Sequence, residues 1–203
     1  MSIFKRTKLS REALLIAAHI ALCIPIIAPA FALTRYDGNG VTIIASTIDG
    51  QSVDGSYKVV ADKNAYAKMI DQAAGTFFEA ESSKMTVIIG SAAGTMGAIK
   101  SADLSGPVKL IYTTCDPKTG VRTTTTATAD NATYDGIEQK AYLVGNVKIV
   151  NTNPALYSEP AVMTGDKAAI DLKSAAGPGF KLESSPGLSR IEVTPKKEAV
   201  APK

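Results

Sequence analysis

The chain has 203 residues, 45% of them apolar, which suffices for one buried core and excludes a disordered polypeptide. Its 22 basic and 19 acidic residues give a net charge of +3. Lys5, Arg6, Lys8 and Arg11 against Glu12 supply all of that excess, so the rest of the chain is balanced and lacks the basic stripe that nucleic acid demands.

The four N-terminal cations precede an apolar run, ALLIAAHIALCIPIIAPAFAL, from Ala13 to Leu33. A positive start, an apolar middle and small residues at Ala28, Ala30 and Ala32 have the layout of a secretory signal over residues 1–32. The alternative is an uncleaved inner-membrane anchor, since the run approaches the roughly 20 residues that span a bilayer. Both place the remainder outside the cytoplasm, with the periplasm as the expected compartment. Cleavage would leave Cys115 as the one thiol and remove His19, the one histidine. Disulfides, Ser-His-Asp or Cys-His catalysis and histidine-rich zinc sites are then excluded.

From Leu33 onward β-branched residues and period-two patterns dominate, broken by turn clusters at Asp37–Gly40, Asp49-Gly50, Asp54-Gly55, Asp116–Gly120 and Asp135-Gly136. Many short strands between such clusters predict an all-β domain over residues 33–193. The segment Ala61–Ala74 fits a short helix by composition and a strand by alternation, and the sequence leaves both open. The glycine run Gly90–Gly97 lacks a phosphate-loop ending and reads as a hairpin connection. Residues 194–203 have little to pack and are expected to fray.

Two segment types recur. LSGPVKLI (Leu104–Ile111) and LVGNVKIV (Leu143–Val150) are near copies, and AESSKMT (Ala80–Thr86), ADNATYD (Ala129–Asp135) and GDKAAID (Gly165–Asp171) form a second set. A primed hairpin turn at Gly145-Asn146 is conceivable, but the copy has Gly106-Pro107 there, where proline fits poorly. A strand passing through a bend suits both. Alternation then puts Leu104, Val108 and Leu110, and Leu143, Val147 and Ile149, on one apolar face, opposite Lys109 and Lys148. Met85, Val87 and Ile89, then Tyr134, then Ile170 and Leu172 continue that face. These twelve either fill a sandwich core or line a trough for long acyl chains, each buried methylene being worth about 0.8 kcal/mol. No paired constellation points to catalysis. Asp130, Asp135, Asp166 and Asp171 are the oxygen ligands a calcium site would use, but the five-residue spacing of each pair sets its members on opposite faces. The expectation is a protein with no catalytic residue, metal or cofactor.

The stretch ATADNATYDGIEQKAYLVGNVKIV, followed by MTGDKAAIDL, resembles the OstA-like domain of the lipopolysaccharide-transport family that includes LptA and LptC. The match is good over about Thr128–Leu172, loose over Phe78–Tyr112, and only general in character over Leu33–Phe77. The resemblance implies a single open, V-shaped antiparallel β-jellyroll whose trough shields the acyl chains of lipopolysaccharide between inner and outer membrane. It also implies edge-strand stacking with other OstA-like proteins and a head-to-tail homo-oligomer. Two stretches depart from the pattern: VNTNPALYSEPAV (Val150–Val162) lengthens a link, and KSAAGPGFKLESSPG (Lys173–Gly187) reads as an added loop. The competing reading is an exported structural or adhesive β-protein whose apolar faces close on themselves.

Overall fold

The computed structural model describes residues 33–38, 40–71, 75–90, 99–116, 118–173, 178–185 and 187–196. The leader at 1–32, the glycine run at 91–98 and the end of the tail at 197–203 lie outside them. A compact unit begins at Ala32 and contains the entire core, whose first member is Val41.

Among the described residues eleven strands form one open antiparallel sheet, the all-β, jellyroll-like class expected from the sequence. They are β1 (Thr34–Gly38), β2 (Val41–Ala45), β3 (Thr47–Val53), β4 (Ser56–Asp71), β5 (Thr76–Ile89), β6 (Ile99–Cys115), β7 (Arg122–Asp135), β8 (Lys140–Thr152), β9 (Ala161–Asp171), β10 (Gly179–Glu183) and β11 (Arg190–Glu192). The order is β1-β2-β4-β5-β6-β7-β8-β9-β10, with β3 beside β4 and β11 beside β9. The connections follow the turn clusters. Asp54 and Gly55 both take positive φ (44° and 69°) between the paired Val53 and Ser56, the conformation of a primed two-residue hairpin. Asp135 Oδ1 accepts hydrogen bonds from the Ile137 and Glu138 amides at 2.8 and 2.9 Å, and Asp116 Oδ1 accepts from Lys118 N at 2.8 Å.

Ala61–Asp71 is strand, not helix: it belongs to β4, whose alternate residues Ala61, Ala65, Ala67 and Met69 are buried. The expected added loop at Lys173–Gly187 contains β10, which pairs with β9 from Gly179↔Asp171 to Glu183↔Lys167. Residues Thr194–Lys196 lie against the segment Leu156–Ser158. Ser158 N donates to Thr194 O, Pro195 bridges Tyr157, and Lys196 N donates to Leu156 O at 2.9 Å.

A crease crosses the sheet at one level. Pairing shifts register at Asp62/Ala65 of β4 against β5, at Glu81/Lys84 of β5 against β6, at Ser105/Val108 of β6 against β7, at Thr128/Asn131 of β7 against β8, and at Val144/Val147 of β8 against β9. The extra residue always stands on β4, β6 or β8, where the backbone takes positive φ at Lys63 and Asn64, at Gly106, and at Gly145 and Asn146. On β5, β7 and β9 the alternation slips phase instead, with two or more successive uncovered residues at Ser83-Lys84, Asp130-Asn131 and Gly165–Lys167. The two recurrent segment types are therefore the two ways of crossing one crease: the Leu-x-Gly copies are the bulged strands and the second set the phase-slipping ones. At Gly145-Asn146 the strand passes through a bend, as expected, with no hairpin.

The crease divides the sheet into two arms. The first contains β3, β10 and the segments Ser56–Asp62, Lys84–Ile89, Ile99–Ser105, Asn131–Asp135, Lys140–Val144 and Lys167–Asp171. The second contains β1, β2, β11 and the segments on the other side of each bend. With no helix among the described residues to cover it, the apolar face of each arm is buried against that of the other, and this sheet-on-sheet contact is the core.

Candidate functional site

The buried apolar side chains converge in the space between the arms. All twelve residues singled out from the sequence face it and are buried: Met85, Val87, Ile89, Leu104, Tyr134, Leu143, Ile170 and Leu172 from the first arm, and Val108, Leu110, Val147 and Ile149 from the second. Their outward neighbours Lys109, Val144, Asn146 and Lys148 are exposed. Sequence selection missed Val41, Ile43, Val59 and Met69, equally buried members contributed by β2 and β4. Their signal was the same alternation, in a region where short strands and alanine-rich composition blurred it.

Two of the three bulges are built on glycine. A Cβ on Gly145 would meet the Asp130 carboxylate, and one on Gly106 would meet Ser83 Oγ. Asn146 Nδ2 donates to Asp130 Oδ2 at 2.9 Å, so the side chain opposite the bulge also fastens it.

The space between the arms is closed. Leu143 and Ile149 are wholly inaccessible, and the cavity among Ala67, Phe78, Met85, Leu104, Leu110 and Tyr134, residues drawn from both arms, measures only about 20 Å³. Phe78 of the second arm meets Tyr134 of the first with ring centroids 6.2 Å apart. At the far end of the second arm the lining turns polar, where buried Asn151 Nδ2 donates to Thr125 Oγ1 at 2.8 Å.

The two ends of the sheet differ. At the N-terminal end Tyr36 of β1 and Tyr57 of β4 stack across the two arms at 5.7 Å. Tyr57 covers Gly50 of the edge strand β3, where a Cβ would strike its hydroxyl. At the C-terminal end β10 turns Phe180 and Leu182 inward beside the core. Ile191 of β11 lies opposite buried Met163, on the same side of the sheet, yet is 61% exposed, and Leu188 between the two strands is 92% exposed. The N-terminal end has an aromatic pair between the arms, with Leu33 beside it exposed, and the C-terminal end leaves Leu188 and Ile191 uncovered.

A second hollow, about 600 Å³, lies along β8, β9 and β10 and includes the outward Tyr142, Val144, Lys167 and Lys181. Its cations are largely matched: Lys181 pairs with Glu183 at 2.7 Å and Lys140 with Glu138 at 3.5 Å, which raises both ammonium pKa values. We place the candidate site between the arms, where the apolar residues converge. Among the described residues no three of His, Cys, Asp and Glu gather as a metal site would require, and no helix is long and apolar enough to cross a membrane. Compared with models of known families and with curated proteins, the chain matches none.

Proposed function

We propose that the protein is a non-catalytic lipid-shielding component of lipopolysaccharide transport, exported to the periplasm or anchored facing it, that holds acyl chains between the two arms of its creased sheet. The observation that carries this reading is the one-sided apolar lining shared by both arms of an open sheet. The uncovered Leu188 and Ile191 at its C-terminal end mark where chains would enter. Burial of each methylene there contributes about 0.8 kcal/mol, so a few turns of lining bind an acyl chain without any charged group. Stacking on other OstA-like proteins, and head-to-tail assembly of this chain, belong to the same proposal and use the unpaired outer edges of β3 and β10.

One observation favours a different reading. The interior leaves about 20 Å³ free, so a structural or adhesive protein closed on its own core accounts for the same alternation. Shielding of lipid requires the arms to part. Photo-crosslinking of residues 33–203 to a lipid A-type glycolipid from Val147 and Ile170, with Lys148 as the outward control, separates the two. Adducts at the first two positions alone are expected. A folded protein with no adduct at any position establishes the closed structural protein instead.

A further inference from the structure

Tyr134 Oη is a buried side-chain polar atom that no group among the described residues satisfies: it is sealed from solvent and meets no donor or acceptor, in a residue only 7% exposed. An unbonded hydroxyl in an apolar interior destabilises the fold, and native proteins keep few of them. The neighbouring cavity of about 20 Å³ has room for about one water. The side chains that line it are apolar except for Tyr134 itself and Thr133, and Thr133 is exposed on the outer face. Loss of hydration, with smaller contributions from Tyr112 and Asp135, pushes the phenol up to about 12, so it stays protonated and able to donate. Its ring sits where the arms meet, against Phe78.

We propose that Tyr134 Oη is the polar anchor for an acyl lipid between the arms, donating a hydrogen bond to the ester or amide carbonyl while the methylenes of the chain lie along Leu104 and Leu110. This rests on the lipid-shielding reading and adds to it the class of linkage the interior selects: chains joined through a carbonyl rather than through an ether. Phe78 leaves Tyr134 when the arms part, and the carbonyl takes its place.

The test uses the compact unit, residues 32–203, with dioctanoyl phosphatidylethanolamine and its dioctyl ether analogue as monomeric probes in titration calorimetry. The wild type is expected to bind the ester about tenfold more tightly than the ether, the effect of one hydrogen bond in an apolar site. Tyr134→Phe is expected to bind both at the ether's affinity. Because it discards an unsatisfied hydroxyl, the same variant is expected to melt higher, by about 3 °C. Equal binding of ester and ether by the wild type overturns the anchor and leaves the lipid reading intact. Binding of neither overturns the lipid reading and the anchor together. A lowered melting temperature in Tyr134→Phe shows that the hydroxyl is satisfied in the free protein, which also overturns the anchor. Should that variant fail to fold, the wild-type comparison of ester with ether decides alone.

Discussion

Gly145 has φ 82°, and a Cβ there would collide with Asp130. Both facts oppose any side chain, so Gly145→Ala is expected to lower stability by about 2 kcal/mol, read as a reduced midpoint in urea unfolding. An unchanged midpoint would mean that the bend tolerates a Cβ and that the crease is not fixed at this residue. The residue scale is also where the sequence was most legible. Leu143, Val147 and Ile149 declared their face by alternation, and Lys148 and Asn146 declared the other, because a half-covered strand leaves no second arrangement of those side chains. Tyr134 was legible as an inward residue. That its hydroxyl lacks a partner was not, since hydrogen bonding depends on what the opposite arm brings near.

At the scale of the element, the crease depends on counting. β4 carries one residue more than β5 between the pairs Asp62↔Lys84 and Ala65↔Ser82, and this keeps Ala65, Ala67 and Met69 on the buried side. Deleting Asn64 removes the extra residue and with it the positive-φ bend, so the ladder on the two sides of the crease loses the offset that the bulge provides. Loss of cooperative unfolding is expected, followed by circular dichroism in urea. Replacing Lys63 and Asn64 together by glycine keeps the count and suits their positive φ of 61° and 56°, so it is expected to remain within about 1 kcal/mol of the wild type. A deletion variant with wild-type cooperativity would contradict the role assigned to the bulge. Two of the three bulges were visible in the sequence because Gly106 and Gly145 interrupt near copies of one strand. The third was hidden, since Lys63-Asn64 adopts the same backbone without glycine inside a stretch that composition also allows as helix. β10 was hidden for the opposite reason: glycine, proline and serine flank a strand of only five residues, and the flanks dominated the reading.

For the whole molecule, the sequence predicts an all-β domain with one apolar face and bends at Gly106 and Gly145, but cannot distinguish a trough from a filled core. Both put the same residues inward, and the difference lies in the separation of the arms. The structure has them together, joined by Phe78 against Tyr134 within and by Tyr36 against Tyr57 at the N-terminal end. The C-terminal end, with Leu188 and Ile191 uncovered, has no such aromatic pair among its described residues. Parting is therefore expected to start there and to swing about the crease, where the register shifts have already interrupted the ladder. Holding acyl chains as proposed requires separation of the arms. Its most direct measurement is the distance between spin labels at Lys58 and Thr152, outward positions on the first and second arms, in residues 32–203 carrying Cys115→Ser. The distance is expected to lengthen on saturation with a lipid A-type glycolipid, and an unchanged distance would mean that the arms stay closed around their own core.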